Sequence, residues 1–286
     1  MKERRVWDRG NQMPPGREFE AYHFVDTVAQ PVYYHNHQHY EIYFYIQGHS
    51  RIIVEGLDLK PVRGDALIYP PGIMHRNIHL DTEIPYERFY FFARREFLQS
   101  ISAADYDIPG TLERMTENDH YYFHVEEEDL RQLIQMTDQV IEASEQTLPA
   151  EKLMNRNRMS ILLIRALTMM TSRDVMPQGE YSRRMSAVIR YINQHAMEQL
   201  TLDQLEEVFY SSKYVLMRNF KNYTGISIHQ YLLIRRILIA KELIEQGAKP
   251  KDVSEQCGFS DYSSFYRAFK ARIGVSPEQF RQETLK

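Results

Sequence analysis

What constrains this chain most is a unit that occurs twice near its carboxyl end. Arg218-Asn-Phe-Lys-Asn-Tyr-Thr-Gly225-Ile-Ser227-Ile-His-Gln230-Tyr231 aligns with Arg267-Ala-Phe-Lys-Ala-Arg-Ile-Gly274-Val-Ser276-Pro-Glu-Gln279-Phe280 at a constant offset of 49. In each copy the Gly follows a helical pattern where a left-handed cap is wanted, and the Ser two residues later can cap the next helix. Upstream of each copy lies a short helical pattern and a tight turn: Leu202 to Phe209 before Tyr210-Ser211, and Asp252 to Cys257 before Gly258-Phe259-Ser260. A short helix, a turn and a second helix with a basic outer face is the layout of a helix-turn-helix.

Between the two copies, Ile228 to Gln246 carries Tyr231, Leu232, Ile234, Leu238, Leu243 and Ile244 on one side and stops at Gly247, with Pro250 beyond. A helix of that length spans roughly 28 Å, close to the ~34 Å between successive major-groove faces. Charge is distributed to match. From Tyr181 to Lys286 there are 16 Lys and Arg against 11 Asp and Glu, or +5, while the remainder has 19 against 28, or −9, within a net charge of −4. A basic end behind an acidic body is the asymmetry of a chain that meets a polyanion at one end.

Positions 184 to 283 resemble the tandem helix-turn-helix domain of AraC/XylS-type transcription regulators. The resemblance is most specific at Gly258-Phe259-Ser260-Asp261-Tyr262-Ser263-Ser264-Phe265-Tyr266-Arg267-Ala268-Phe269-Lys270, closed by Gly274, Ser276 and Pro277. The first copy departs from it: Glu206 stands where the family usually has Ala, and Tyr210 where a small or apolar turn residue is common. The resemblance implies that Tyr214, Met217 and Arg218 face the groove from the first recognition helix, and Tyr262, Ser263, Tyr266 and Arg267 from the second. Arginine can pair bidentately with guanine, Tyr and Ser can meet base edges or phosphates, and Met217 suits a thymine methyl. Lys213, Lys221 and Lys270 are assigned to phosphate neutralisation. Leu216, Phe220, Phe265 and Phe269 are expected in the core.

The amino-terminal part reads differently. Up to about Glu87, short β-branched and aromatic runs such as Glu41 to Ile46, Arg51 to Val54 and Ala66 to Tyr69 alternate with Gly or Pro signals, as antiparallel strands do. Within them lie His35-Asn-His37-Gln-His39-Tyr-Glu41 followed by Gly48, then Gly64 through Pro70 and Gly72 to His75. This is similar to the two cupin motifs, eight of whose ten specified positions are matched; the exceptions are Ala29 for a Gly and His79 for an Asn. The resemblance implies a double-stranded β-barrel over about residues 20 to 95 with the motif residues at its mouth. Alternate positions on a strand share a face, so His35, His37 and Glu41 project together, with Tyr43 and Tyr45 on the face of Glu41; His75 from a neighbouring strand could complete a divalent metal site. Imidazoles, a carboxylate and aromatic rings equally suit a sugar or other polar metabolite. A regulator of the family implied needs no cofactor, so a divalent metal at His35, His37, Glu41 and His75 stays open beside a metal-free effector site. His39 and His79 are read as scaffold.

From Glu126, Leu130, Leu133, Ile134, Val140 and Ile141 recur near helical spacing, and after Pro149 so do Leu153, Ile161, Leu162, Ile164 and Leu167. This pair resembles the family's dimerisation hairpin, with Leu130, Leu133, Ile134, Ile161, Ile164 and Leu167 either as contacts of a two-fold homodimer or as cover for the barrel. The expected organisation is α+β: an arm (1–18), a cupin effector domain (19–125), the hairpin (126–173), a linker (174–182) and an all-α tandem helix-turn-helix domain (183–286). Cys257 is the only cysteine, and no apolar stretch is long enough to span a bilayer, so a cytoplasmic protein is expected. The function expected is a non-enzymatic, sequence-specific regulator binding promoter DNA in response to a small-molecule effector, with a sugar favoured and RNA polymerase as a further partner. A metal-dependent cupin enzyme fused to a DNA-binding domain, and a constitutive DNA binder with a vestigial pocket, are the alternatives.

Overall fold

The computed structural model describes residues 13, 16–28, 35–55, 57–81, 83–117, 120–172 and 180–284. The expected arm (1–18) and linker (174–182), and Ala29, lie wholly or mostly outside them. The chain divides into two compact units, one formed by Met1–Val54 with Asp58–Pro177, the other by Gln178–Lys286 with Glu55–Leu57.

The first unit contains β1 (Phe19–Asp26), β2 (Tyr40–Gln47), β3 (Ser50–Val54), β4 (Leu57–Leu59), β5 (Asp65–Tyr69), β6 (His75–His79), β7 (Tyr86–Ala93), α1 (Arg95–Ser100), α2 (Ile108–Met115), β8 (Tyr122–His124), α3 (Glu127–Ala143), α4 (Pro149–Met169) and β9 (Thr171–Ser172). Its strands form a six-stranded sheet, β1-β7-β2-β5-β8-β9, and a three-stranded sheet, β4-β3-β6. The expected closed barrel is not formed. Backbone pairing ends at β1 and β9 in one sheet and at β4 and β6 in the other, and no ladder among the described residues joins these edges.

Register explains how one strand serves two purposes. Ile42 pairs with Phe91 and Ile68, and Phe44 with Phe89 and Ala66, so the centre of one face of the large sheet is apolar. That face packs with Leu130, Leu133 and Val140 of α3 and Met159, Leu162, Leu163 and Leu167 of α4 in a single core. Burying each such side chain contributes ~1.5–3 kcal/mol before chain entropy is counted. The opposite face, in the same register, aligns Glu41 with Phe92 and Tyr69, and Tyr43 with Tyr90. The period of two therefore sends greasy residues to the helices and chemically versatile ones to the other side. Leu130, Leu133 and Leu167 are buried against the sheet and take the covering role, whereas Ile161 is 55 % exposed.

The second unit is helical: α5 (Glu180–Gln194), α6 (Leu202–Phe209), α7 (Lys213–Thr224), α8 (Ile228–Glu245), α9 (Pro250–Gln256), α10 (Tyr262–Ile273) and α11 (Pro277–Thr284). The sequence repeat becomes a repeated joint. Gly225 (φ 82) and Gly274 (φ 92) adopt left-handed caps whose N–H groups donate to the carbonyls of Lys221 (2.8 Å) and Lys270 (2.9 Å). Two residues later Ser227 exchanges hydrogen bonds with Gln230, its Oγ accepting from the Gln230 N–H at 3.2 Å, and Ser276 does the same with Gln279 at 3.2 Å. Each repeat thus stops one helix and starts the next through a reciprocal capping box. Leu216, Phe220, Phe265 and Phe269 are buried, as expected. No helix among the described residues is long and apolar enough to cross a membrane.

Candidate functional site

In the helical unit, α6 and α7 form one helix-turn-helix and α9 and α10 the other. Ser212 caps α7 by accepting from the Val215 N–H, and Asp261 caps α10 by accepting from the Ser264 N–H at 2.8 Å. Tyr214 (68 % exposed), Met217 (41 %), Arg218 and Lys221 lie on the free side of α7, with the Arg218 guanidinium 5.7 Å from the Tyr214 ring centre. Lys213 is ion-paired with Asp203, which holds its ammonium above the usual lysine range. On α10, Ser263, Arg267 and Lys270 are exposed. Tyr262 and Tyr266 are half-buried, and the Tyr262 hydroxyl donates to Glu278 while its ring packs on Phe265. Tyr262 is thus engaged within its own domain.

Tyr210, set aside in the sequence only as a departure from the usual turn, is 94 % exposed and caps α6 with φ 48 and ψ 46. The corresponding left-handed position of the second motif is Gly258 (φ 72), where a β-carbon would sit 2.9 Å from both the Met197 carbonyl oxygen and an Arg236 nitrogen. Arg236, on α8, donates from Nε to the Ala196 carbonyl (2.8 Å) and from Nη2 to the Glu198 carbonyl (2.6 Å). The second turn is packed closed and the first is open to solvent.

In the sheet unit, a cavity of ≈ 30 Å³ is lined by His35, His37, Glu41, Tyr43 and His75 together with Asn77, Tyr86, Arg88, Tyr90 and Phe92. By the ~10–15 Å³ that one water requires, it has room for about two waters. Three ligand atoms, from His37, Glu41 and His75, lie within 4.8 Å of one another, all from buried residues. His37 Nε2 is 2.7 Å and His75 Nε2 3.5 Å from the same Glu41 oxygen. Each ring is oriented from behind: His37 Nδ1 lies 2.8 Å from the His39 carbonyl and His75 Nδ1 3.0 Å from the Ile73 carbonyl. A carbonyl can only accept, so both Nδ1 atoms carry hydrogen and both Nε2 atoms are directed at Glu41. Burial alone would raise the Glu41 pKa, but hydrogen bonds from His37 and His75, which each ring donates from Nε2 when it carries a hydrogen on both nitrogens, override it and hold the carboxyl well below the usual range.

The other expected pocket residues are placed around this cluster. The His35 ring packs 4.3 Å from His75, and the two backbones bridge through His35 N–H to His75 O (3.0 Å) and the reverse (2.9 Å), so His35 buttresses the three convergent ligand atoms. Tyr43 is buried with its hydroxyl 2.6 Å from that of Tyr86, and burial followed by the Tyr86 neighbour raises its pKa well above the usual value. Tyr45 turns aside to donate to the Gly48 carbonyl and is not among the lining residues. His39 stacks on His37 at 4.1 Å, and burial, reinforced by His37, lowers its pKa to about 2. Asn77, Tyr86, Arg88, Tyr90 and Phe92 belong to no motif of the sequence and reach the cavity through the pairing register of β6 and β7.

Two successive helix-turn-helix motifs joined by a single helix define a DNA-binding protein. Residues 205–283 match the family described as "Helix-turn-helix domain". Over 263 residues the chain is 24% identical to the probable transcriptional regulator LumQ of Photobacterium leiognathi, covering 90% of this chain and 95% of that one. Over 254 residues it is 29% identical to the uncharacterized HTH-type transcriptional regulator YbfI of Bacillus subtilis, covering 88% and 87%. Among solved structures, a ToxT variant from Vibrio cholerae is 14% identical with a TM-score of 0.40, covering 93% of this chain and 97% of that one. The chain thus carries a helix-turn-helix domain and is similar, over most of its length, to proteins named as transcriptional regulators.

Proposed function

We propose that this regulator is controlled by a small polar effector, a sugar or related metabolite, bound at the pocket of the cupin-like sheet unit. The observation that carries the reading is the convergence of His37, Glu41 and His75, with each imidazole aimed by a backbone carbonyl behind it. Such orientation of a ring from behind accompanies metal-ligating histidines, and two imidazoles with one carboxylate form a donor set suited to a divalent metal. His37, Glu41 and His75 would hold such an ion, which would give the effector's oxygens a Lewis-acidic anchor. A pyranose exceeds a ≈ 30 Å³ cavity, so its entry requires the Tyr43–Tyr86 hydroxyl pair to part and the rings of Tyr90 and Phe92 to present their faces.

In this reading the protein acts as a homodimer. Leu153 (58 % exposed) and Ile161 lie on one outer stripe of α4, two helical turns apart, beside exposed Leu148 and Met154. Promoter DNA is read through Tyr214, Met217 and Arg218 of α7 and Ser263, Tyr266 and Arg267 of α10, with Lys221 and Lys270 on phosphates and Lys213 released from Asp203 to join them. Effector binding favours one arrangement of arm, hairpin and linker over another, and so changes which half-sites a dimer spans and how it meets RNA polymerase.

The test is a thermal-shift series on the full chain with Mn²⁺, Zn²⁺ and a panel of sugars, with and without chelator, in wild type and Glu41→Gln. A ligand of the native state raises the melting point in proportion to the logarithm of its excess over Kd. A metal-dependent rise absent from Glu41→Gln supports the anchored site, and a chelator-insensitive sugar response supports a metal-free one. No response to any of them would overturn the pocket as a sensor.

A further inference from the structure

We propose that Tyr210, which lies outside both recognition helices, is a DNA-contacting residue whose hydroxyl donates to a backbone phosphate beside the first motif. The residue is anomalous in two independent ways. At 94 % exposure it is the most exposed large hydrophobic side chain among the described residues, and its backbone is left-handed, a state shared among described non-glycine residues only with Glu55. A bulky residue in that conformation is strained, and a glycine would remove the strain without losing any packing, since the side chain packs on little. A costly conformation that displays a phenol to solvent calls for a partner outside the domain.

The surroundings say which partner. Arg184 is exposed and donates from Nη2 to the Phe209 carbonyl at 2.6 Å, which fixes a guanidinium at the peptide that leads into Tyr210. Lys213 follows three residues later, and exposed Tyr214, Met217 and Arg218 continue the same surface along α7. An exposed hydroxyl beside the Arg184 guanidinium, followed by Lys213 (paired with Asp203 until phosphate displaces it) and continuous with a DNA-reading helix, fits the phosphodiester wall of the groove, where tyrosine hydroxyls are regular donors. The second motif has no counterpart, because Gly258 is packed against Arg236 and Met197. The first motif thus gains from its turn a hold on DNA that the second lacks.

The test uses the full-length protein and a duplex selected by it from a random pool, with a scrambled duplex beside it. Tyr210→Gly is expected to melt no lower than wild type yet to bind both duplexes roughly tenfold more weakly, as loss of a hydrogen bond to a charged group implies. Tyr210→Phe should show the same weakening, because the ring is retained and only the donor is lost. Neither changes the salt dependence of binding, whereas Lys213→Ala lowers its slope by roughly one. A lower melting point for Tyr210→Gly would make the residue structural and overturn the proposal. So would wild-type affinity in either variant, including the case in which DNA binding survives and only transcription is lost, which would transfer Tyr210 to a protein partner.

Discussion

Replacing Gly258 with alanine should damage the helical unit far more than the same change at Gly274, although both glycines are left-handed (φ 72 and φ 92). An L-residue at such a φ costs ~1–2 kcal/mol at either site. At Gly274 a β-carbon meets nothing within 4 Å, so that is the whole penalty. At Gly258 it would sit 2.9 Å from the Met197 carbonyl oxygen and 2.9 Å from Arg236 Nη2. The backbone oxygen cannot swing away, so the guanidinium must move and loosen its bonds to the Ala196 and Glu198 carbonyls. Weakening two charge-assisted hydrogen bonds at a half-buried group adds about 1.5–3 kcal/mol, for a total of roughly 2.5–5 kcal/mol. For a unit of this size each kcal/mol moves the transition by roughly 4–8 °C. Thermal melts of the full chain, followed by helical circular dichroism, should therefore show Gly258→Ala at least ~6 °C below Gly274→Ala. Coincident melts for the two variants would refute the assignment of Arg236 and Gly258 as a close-packed joint.

Arg267→Ala should weaken binding to a selected duplex by ~1–3 kcal/mol and relax the preference at one base pair; titration by fluorescence anisotropy with unchanged affinity would remove the second recognition helix from base reading. Ile161→Glu should convert a dimer to a monomer without unfolding it, and sedimentation in which the variant keeps the wild-type mass would dismiss the α4 stripe as the interface. Burial pushes the Cys257 thiol from 9.0 to about 11, with the Arg236 charge opposing only in part. Between those values the folded state holds the thiol proton that the unfolded chain has lost, so stability falls as pH rises from about 9 to about 11 and is insensitive to this group below that window. Native Cys257 should accordingly resist a thiol reagent at pH 8, and labelling as fast as in urea would contradict its burial.

Much of the helical unit was legible because its signals are local. Gly225, Ser227 and Gln230 specify a stop and a start within six residues, and their counterparts Gly274, Ser276 and Gln279 restate it, so the ends of α7 and α10 and the starts of α8 and α11 follow from caps alone. The strand alternation of Glu41, Tyr43 and Tyr45 against Ile42, Phe44 and Ile46 was equally plain, and it separated the pocket face from the core face. Register was not plain. That Tyr90 lies opposite Tyr43 and Arg88 opposite Tyr45 depends on how two distant strands slide together, which no short motif encodes. Leu130, Leu133 and Leu167 show a related limit: helical periodicity reveals that a face is apolar but not whether it covers a sheet or a second subunit. Tyr262 shows another, since its family position points outward while Glu278, supplied by the following helix, draws its hydroxyl back.

The histidine cluster draws its donors from both sides of a seam. Glu41 belongs to the six-stranded sheet and His75 to the three-stranded one, and no backbone ladder crosses between them. Whatever bonds to both residues therefore adds a rivet between two plates that, beside the ladders within each, are held at this point by the His35–His75 backbone pair. Loading it should slow amide exchange along β3 and β6, far beyond the handful of atoms it touches, and the chemical event of capture becomes a change in the stiffness of a whole domain.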